Sequence, residues 1–338
     1  MKQFELIEIE GKAFVRGRQY GARARTAIHR NLVAYQELLA LHAGLDRAAA
    51  LEAALAYAPL IDAHAPDLLA EMQGLAAGAQ CDLAEILLIN ARSELMSGAT
   101  ECTALASTPQ VSLGGQPFLG QNWDWYTAIE AEPILLRIRP SATSSPRPGS
   151  PSSSSATLAL PNPPTILTLA EAGQLAKIGL NSAGLGVCLN FLEHTDRARG
   201  LPIHILLRQI LACCTLGEAV QTALSLPRGG AANLLLAHAE GDILDLELTA
   251  CAADFVYGDD GWLVHANHFE SHRLRAGDSG LQKSKSSLAR AARARRLLAA
   301  AASARQVSLT TYRAILRDHA STPPAICRHP DPAEPRLQ

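Results

Sequence analysis

The hydrophobic pattern of this chain changes its period close to residue 102, and that change limits the folds open to it. Between about residues 26 and 90, apolar residues recur every three or four positions, as in "HRNLVAYQELLALHAG" and "APDLLAEMQGLAAGAQ", which predicts helices. The segment "DLAEILLINARSEL" predicts another helix, with Asp82 as its N-cap. After Cys102, apolar residues recur every second position, which predicts strands.

The rest of the chain alternates groups of strands and helices. Strands are predicted for "TALAS", "QPFLGQNWDW", "EPILLRIRP", "TILTLAEAG", "QLAKIGLNSAG" and "LGVCLNFL". Two helices, "LPIHILLRQILACC" and "LGEAVQTALSL", precede a second group of strands, "AANLLLAHAE", "ILDLELTA", "ADFVYG" and "GWLVHANHF". A long helix from about Ser286 to Ala302 and a shorter one near "LTTYRAILRDH" follow. This order predicts an α+β fold of antiparallel sheets covered by helices on their outer faces.

A Pro- and Ser-rich stretch, residues 140–164, interrupts the strands. It is nearly uncharged and has few large apolar residues, which indicates a disordered insertion between two adjacent strands. Because the strand pattern resumes beyond it, we expect no domain boundary there.

Composition excludes several classes of partner. The formal net charge of −2 and the 4% of aromatic residues favour neither attraction to nucleic acid nor base stacking. The sequence contains no apolar run long enough to span a membrane, and its first residues lack the apolar block of a signal peptide. We therefore expect a cytoplasmic protein that binds neither nucleic acid nor membrane. The 7 cysteines include no Cys-x-x-Cys pair, so we expect free thiols.

Cys102 begins one of the predicted strands, in "ATECTALAS". A cysteine acts as a nucleophile in its thiolate form, and it needs a base to reach that form near neutral pH. One available base is the α-amine that the cysteine acquires when the peptide bond before it is cut, because that amine has a pKa of about 8. Such a cut would explain a catalytic cysteine at the start of a strand deep inside the chain.

The segment "ECTALAS…GQPFLGQNWDW" resembles the start of the mature chain in the acyl-CoA:6-aminopenicillanic acid acyltransferase family. These are N-terminal-nucleophile hydrolases, also grouped with cysteine peptidases (the C45 type) because the precursor cuts itself. The segments "EGKAFVRGRQYG", "GLNSAGLGVCLNFL", "VHANHFES" and "SSLARAARARRLL" follow the order of the family. The resemblance implies a four-layer αββα sandwich, with residues 1–101 as a helical segment before the nucleophile and 102–338 as the nucleophile-bearing chain of the same domain.

The resemblance also implies a role for individual residues. Cys102 would cut the bond between Glu101 and itself and then accept the acyl group. Asp124 matches the active-site aspartate, and Asn267 matches an asparagine that donates to the oxyanion. Arg290 matches an arginine near the nucleophile, with Arg293 as the other possible register. Four further residues would support the site: Thr103, Asn122, Trp123 and His268.

The implied activity is the hydrolysis or transfer of an acyl group without a cofactor. The substrate would be a small N-acyl amide or an acyl thioester, acyl-CoA among them, and the sequence leaves hydrolysis and transfer equally open. The partners would be this substrate and, after self-cleavage, the small and large chains of the same precursor.

Two departures from the family pattern give a second hypothesis. Glu101 stands where the family commonly has glycine, and Ala104 stands where it often has serine or threonine. A side chain at position 101 restricts the strained backbone that an N-to-S acyl shift uses. The alternative is therefore an unprocessed, catalytically silent member that binds a ligand or partner through the same pocket.

Three histidines in "HANHFESH", His265, His268 and His272, raise a third hypothesis of a metallohydrolase. On a strand, the side chains of residues 265 and 268 point to opposite faces. The sequence offers no second group of ligands beside them, so we expect no metal site.

Overall fold

The structure, a computed structural model, describes residues 4–96, 101–129, 133–141, 163–283, 286–322 and 324–329. The α-helices of this part of the chain are α1 (Ala13–Arg23), α2 (Arg25–Ala43), α3 (Arg47–Leu55), α4 (Ala58–His64), α5 (Pro66–Ala79), α6 (Leu83–Leu95), α7 (Ile203–Ile210), α8 (Leu216–Ser225), α9 (Gly280–Lys283), α10 (Ser286–Ser303) and α11 (Leu309–Leu316). Within these residues, no helix is both long enough and apolar enough to cross a membrane.

The strands of the same residues are β1 (Leu6–Gly11), β2 (Glu101–Ser107), β3 (Phe118–Asp124), β4 (Pro133–Pro140), β5 (Ile166–Glu171), β6 (Ile178–Asn181), β7 (Leu185–Leu192), β8 (Ala231–His238), β9 (Ile243–Leu248), β10 (Ala253–Val256) and β11 (Trp262–His265). They form an eight-stranded sheet in the order β1-β4-β5-β6-β7-β8-β9-β10 and a three-stranded sheet in the order β11-β2-β3. The strand pairs are antiparallel except for β1 and β4, which are parallel, a pairing that the expectation of antiparallel sheets missed.

Three apolar clusters show that the fold has four layers. The largest packs helices of the first hundred residues, together with α7, against the eight-stranded sheet. A second lies between the two sheets and contains Ala104 and Ala106 of β2 with Cys188 and Leu235 of the larger sheet. The third packs α10 and α11 against the outer face of the three-stranded sheet, around Leu105. The predicted helix–sheet–sheet–helix arrangement is confirmed.

Most predicted elements are present close to their predicted positions. The helix predicted after Asp82 is α6, and Asp82 forms a capping box with Glu85, as its sequence position indicated. The strand predicted for residues 174–184 is shorter, because β6 begins only at Ile178. Gly173, whose φ is +99°, turns the chain after β5, and residues 172–177 form a loop.

The stretch predicted as an insertion lies largely outside the described residues. The strand before it, β4, ends at Pro140, and the strand after it, β5, begins at Ile166. These two strands are antiparallel neighbours in the larger sheet.

Helices α1 and α5 pack with their backbones almost in contact, because each carries two glycines four residues apart. A Cβ built on Gly17 of α1 would lie 1.8 Å from the carbonyl oxygen of Glu71 in α5. A Cβ on Gly74 of α5 would lie 2.0 Å from the carbonyl oxygen of Phe14 in α1. The close approach also places Arg16 beside Glu71, where the two form a buried ion pair at 2.5 Å.

Replacing Gly17 with alanine should destabilise the protein, because the added methyl group must push the two helices apart. We expect the free energy of unfolding to fall by about 1–3 kcal/mol or more, measured by urea denaturation followed by circular dichroism. Gly217→Ala in α8 is the matched control, since a Cβ there meets no atom within 4 Å. The control should raise stability by up to about 1 kcal/mol. Equal effects of the two substitutions would show that the α1–α5 contact is not tight.

Candidate active site

Cys102 is the second residue of β2, the central strand of the smaller sheet. It lies opposite Trp123 of β3, and the pairing of β2 with β11 places His265 opposite Ala104. Ala104 packs between the two sheets. Because alternate residues of a strand share a face, the side chain of Cys102 points into the same space, where it is 3% exposed.

Arg290 of α10 contacts the start of β2 from the other face of the smaller sheet. Its guanidinium donates hydrogen bonds to the backbone carbonyl oxygen of Cys102 and, at 2.8 Å, to Thr103 Oγ1. It also donates to Asn267 Oδ1 at 3.0 Å, and its Nε lies 3.3 Å from Glu101 Oε2. One buried cation therefore touches four residues that the sequence analysis singled out.

The structure distinguishes the two arginines that the sequence left open. Arg293 lies one turn further along α10 and donates two hydrogen bonds to the carboxylate of Asp318, at 3.1 and 2.6 Å. Arg290 is the arginine that contacts Cys102.

Asn267 lies two residues after β11 and binds the backbone of the nucleophile candidate. Its Oδ1 accepts a hydrogen bond from the backbone N–H of Cys102 at 2.6 Å. Its Nδ2 donates to the carbonyl oxygen of Phe191 at 2.9 Å. A side-chain amide has two N–H donors, so this arrangement leaves one for an oxyanion, while the amide oxygen is directed at the nitrogen of Cys102.

The side chain of Glu101 is buried among donors. Its Oε2 accepts a hydrogen bond from Ser286 Oγ at 2.8 Å and forms an ion pair with the guanidinium of Arg328, in addition to its contact with Arg290. The carboxylate that Glu101 brings to this position is therefore compensated by two cations and a hydroxyl group.

Asp124 ends β3 directly opposite Glu101. Burial raises the pKa of Asp124 to about 7, against the lowering effects of Arg290 and Arg328, and Glu101 adds to the increase. Its Oδ2 is buried and has no hydrogen-bond partner among the described residues. Asp124 can therefore exchange a proton near neutral pH and can accept a hydrogen bond from a group that arrives at the site.

Lys177 lies in the loop before β6 and is buried near Cys102. Its Nζ is 3.7 Å from the centre of the Trp123 ring, directly across the strand pair from Cys102, and 3.8 Å from Glu171 Oε1. Burial lowers the pKa of Lys177 to about 7; Arg92 adds to this, and Glu171 and Cys102 oppose it. Near neutral pH, Lys177 is therefore present in part as a neutral amine.

The thiol of Cys102 is protonated in the intact chain. Burial raises its pKa to about 11; Lys177 and Arg290 lower it, and Asp124 raises it. Two cations near a thiol stabilise the thiolate once a base has removed the proton. The site thus combines a buried thiol, a buried amine and a carboxyl group that titrate near neutral pH, and a guanidinium on the adjacent backbone.

Two of the supporting residues, Asn122 and Trp123, contact neighbouring segments. Asn122 Nδ2 donates to the carbonyl oxygens of Leu316 and Ile326, at 2.7 and 2.8 Å, and so holds the segment before Arg328 against β3. Trp123 packs on Lys177.

His268 contacts Ser287 and Glu270 instead of Cys102. Its Nδ1 is 2.7 Å from Ser287 Oγ, and its Nε2 is 2.9 Å from Glu270 Oε1. The same Ser287 Oγ accepts a hydrogen bond from the backbone N–H of Asn267 at 2.7 Å. Through Ser287, His268 contributes to the position of Asn267.

The expectation that His265 and His268 point to opposite faces of one strand was wrong, because β11 ends at His265 and the two rings stack with their centroids 6.3 Å apart. Each ring nevertheless has its own carboxylate partner. His265 Nε2 is 2.7 Å from Glu247 Oε1, and His272 is exposed. Although burial lowers the pKa of His265, Asp245 and Glu247 raise it to about 9, so the ring is protonated at neutral pH. A protonated imidazole has no free lone pair for a metal.

Sequence reasoning missed Lys177 and Arg328. Lys177 is an isolated charge in the apolar stretch "QLAKIGL", and such a charge is buried only when it has a partner or a function. Arg328 lies in "AICRHP", which has no periodic pattern, and nothing in the sequence places it beside Glu101.

Comparison with known proteins gives a family match and one curated relative. The family model described as acyl-coenzyme A:6-aminopenicillanic acid acyl-transferase matches residues 112–334, a range that begins after Cys102. The 40 kDa form of acyl-coenzyme A:6-aminopenicillanic-acid-acyltransferase from Emericella nidulans is 30% identical over 200 residues, or 59% of this chain. The alignment spans 50% of that relative's own length.

Solved structures show more distant similarity. An N-acylethanolamine-hydrolyzing acid amidase orthologue from Caenorhabditis elegans is 16% identical with a TM-score of 0.43, covering 65% of this chain and 88% of its own. A variant of the conjugated bile acid hydrolase from Clostridium perfringens is 15% identical with a TM-score of 0.43, covering 65% and 81%. The family match spans more than half of the 338 residues. The chain therefore belongs to the acyl-coenzyme A:6-aminopenicillanic acid acyltransferase family.

Proposed function

We propose that this protein is a cysteine-dependent amidohydrolase or acyltransferase that activates itself by cutting the bond between Glu101 and Cys102. One observation carries the proposal: the backbone N–H of Cys102 donates to Asn267 Oδ1 at 2.6 Å, while Arg290 binds the carbonyl oxygen of the same residue. The backbone of Cys102 is thus held on both sides of the Cα that carries the thiol, at its nitrogen by Asn267 and at its carbonyl oxygen by Arg290. Cleavage before Cys102 would leave an α-amine fixed next to its own sulfur.

Family membership supports an acyl-transfer reaction, and the name of the curated relative specifies an acyl-coenzyme A and a penicillin nucleus with a free amine. For this chain we propose the broader class of small N-acyl amides and acyl thioesters. Both present a carbonyl carbon that a thiolate attacks, and both leave the same acyl-enzyme. Water or an amine then accepts the acyl group.

Self-cleavage requires a base other than the α-amine, because that amine does not exist in the intact chain. Lys177 meets the requirement: it lies on the face of Trp123, opposite Cys102 in the strand pair, and its amine is partly neutral near pH 7. We propose that Lys177 takes the thiol proton and that Cys102 Sγ attacks the carbonyl carbon of Glu101. The carbon–nitrogen bond breaks, the nitrogen receives the proton from Lys177, and water hydrolyses the resulting thioester.

In the processed enzyme, the α-amine of Cys102 takes over as the base. The thiolate attacks the acyl carbonyl of the substrate, and the protonated amine then supplies the leaving group with its proton. Asn267 has one N–H donor left after its bond to Phe191, and this donor is available to the oxyanion of the tetrahedral intermediate. Asp124 is the acceptor for the new ammonium group or for a nitrogen of the substrate.

We also propose that the two chains stay together after the cut, as one domain. The largest apolar cluster joins side chains of α2, α5 and α6 to side chains of the eight-stranded sheet. Arg92 of α6 forms a buried ion pair with Glu171 of β5. Separation would expose this core and take from Arg92 the carboxylate that compensates its charge.

Cys102→Ala should abolish both self-cleavage and turnover, because it removes the only atom proposed to form the acyl-enzyme. Intact-mass measurement of freshly purified wild type should show two fragments, one of which begins at Cys102. The variant should show one full-length species with no activity on a panel of N-acyl amides and acyl-CoAs.

Cys188→Ala is the matched control, since Cys188 is also buried between the two sheets. It should be cut and remain active. A wild type that stays full-length and never reacts with iodoacetamide at Cys102 would contradict the proposal and favour the silent, ligand-binding alternative.

Replacing Lys177 with methionine should slow self-cleavage by about 10²–10⁴-fold, the usual contribution of a general base. The pKa of Lys177 is about 7, and the base is the neutral form. The wild-type cleavage rate should therefore rise with pH through about 7 and then level off. The rate is measured by mass spectrometry on precursor that is synthesised and kept unfolded in denaturant and then refolded at each test pH. In Lys177→Met this inflection should disappear.

Asp124→Asn distinguishes the contribution of Lys177 from that of Asp124, whose pKa is also about 7. This variant should be slower than wild type and yet keep the inflection. If Asp124→Asn loses the inflection while Lys177→Met keeps it, Asp124 is the base and the role given to Lys177 is wrong.

A further inference from the structure

A second group of reactive side chains lies outside the proposed active site, in the segment after α11. His319 and His329 bring their Nε2 atoms to 2.8 Å of each other, with the rings stacked at 5.0 Å between centroids. Cys327 Sγ is 3.9 Å from His329 Nε2. One ligand atom from each of the three residues lies within 4.8 Å of the others. A search of the described residues for histidine, cysteine or carboxylate side chains close enough together to hold a metal ion finds these three.

The backbone brings these residues together before any metal is considered. The N–H of Cys327 donates to the carbonyl oxygen of Asp318 at 3.0 Å, which closes the loop between them. The carboxylate of Asp318 accepts two hydrogen bonds from Arg293 of α10, and this anchors the base of the loop. His319 follows one end of the closed loop and His329 lies two residues after the other. The three side chains therefore start from a fixed base.

The donor set indicates the class of metal. Two imidazoles and a thiolate are the ligands that zinc prefers, whereas calcium and magnesium need carboxylate, carbonyl or water oxygen. With zinc–nitrogen distances of about 2.0–2.1 Å and a zinc–sulfur distance of about 2.3 Å, tetrahedral ligand atoms lie about 3.3–3.6 Å apart. The observed separations of 2.8 and 3.9 Å differ from these by about half an ångström, which small rotations of exposed side chains supply.

We infer that His319, Cys327 and His329 bind one zinc ion, with a water molecule as the fourth ligand. On binding, the thiol of Cys327 releases its proton to solvent, and each imidazole binds through the lone pair of Nε2. No electron is transferred. The inference does not depend on self-cleavage or on acyl transfer.

The position of the site gives it a structural role. Arg328 lies between two of the ligands and forms an ion pair with Glu101, the residue before the proposed cleavage point. Asn122 of β3 donates a hydrogen bond to the carbonyl oxygen of Ile326, the residue before Cys327. Zinc on Cys327 and His329 would fix the backbone on both sides of Arg328, and so hold its guanidinium next to the active site.

The test uses the untagged full chain, dialysed against a chelator and then supplied with zinc or cobalt. Zinc content after desalting should be one equivalent per chain, and the melting temperature should rise by on the order of 3 °C with zinc in excess. Cobalt should produce the near-ultraviolet absorption of a cobalt–thiolate bond. The double variant Cys327→Ser with His329→Ala should lose the bound zinc, the absorption and the temperature shift together.

The controls separate this site from other thiols and imidazoles. Cys251→Ser and His272→Ala change exposed residues elsewhere and should keep one equivalent of zinc. Cys102→Ala should keep it too, which excludes the proposed nucleophile as the ligand. If wild type retains no zinc, or if the double variant retains as much as wild type, the inference is wrong and the two imidazoles are only hydrogen-bonded to each other.

Discussion

The buried guanidinium of Arg290 determines the geometry of the site. It is 1% exposed and contacts the backbone of Cys102, the hydroxyl of Thr103 and the side chains of Asn267 and Glu101. Removing such a cation from water costs several kcal/mol unless hydrogen bonds and an opposite charge compensate. These partners belong to the beginning of β2 and to the turn after β11, whereas the guanidinium belongs to α10. The compensation is therefore available in one arrangement of the three elements.

Two groups of buried charge lie on opposite faces of β2 at the level of Cys102. On the face toward α10 are Arg290 and Arg328, with Glu101 as their counter-ion. Between the sheets is Lys177, in contact with Glu171 and under the influence of Arg92. The first group fixes the backbone around the sulfur and the second supplies a proton acceptor. Because the two groups are separate, the cation that contacts the backbone of Cys102 stays charged while the amine of Lys177 titrates.

The segment before Cys102 also affects the charge of Lys177. Arg92 lies in the last turn of α6, the helix that leads toward Glu101, and it forms an ion pair with Glu171. Glu171 is shared between Arg92 and Lys177. Burial lowers the pKa of Lys177, and the positive charge of Arg92 lowers it further. The first hundred residues would therefore be part of the working site after cleavage as well as its covering layer.

Local signals in the sequence located most of the elements but not the contacts between them. The period of apolar residues located α6 and β2, and the Asp82 cap fixed where α6 begins. The meeting of Cys102 with Asn267, which are 165 positions apart, follows from the antiparallel register of β11 on β2. Once Ala104 pairs with His265, residue 267 must lie near residue 102, but sequence periodicity does not reveal which strands pair.

Contacts made by aperiodic segments were beyond sequence reasoning for a different reason. Lys177 was assigned to a strand, and its burial depends on the turn at Gly173 and on the ring of Trp123 from the other sheet. Arg328 reaches Glu101 because Asn122 binds the backbone at Ile326. In both cases the decisive partner is distant in sequence, so composition and spacing do not identify which residue makes the contact.

The structure also shows surroundings of Glu101 that the sequence did not indicate. Glutamate at this position was expected to hinder an acyl shift that glycine would permit, through backbone strain. Glu101 lies in the first position of β2, and extended strand backbone is open to any residue. Its carboxylate is buried against Arg328, Arg290 and Ser286.

A cut after Glu101 would add a second carboxylate next to the same two arginines and create an ammonium group on Cys102 near Asp124. Arg290, Arg328 and Asp124 would supply counter-ions for these new charges. Under the proposed cleavage, the side chain of Glu101 would anchor the peptide bond before Cys102 between these charges.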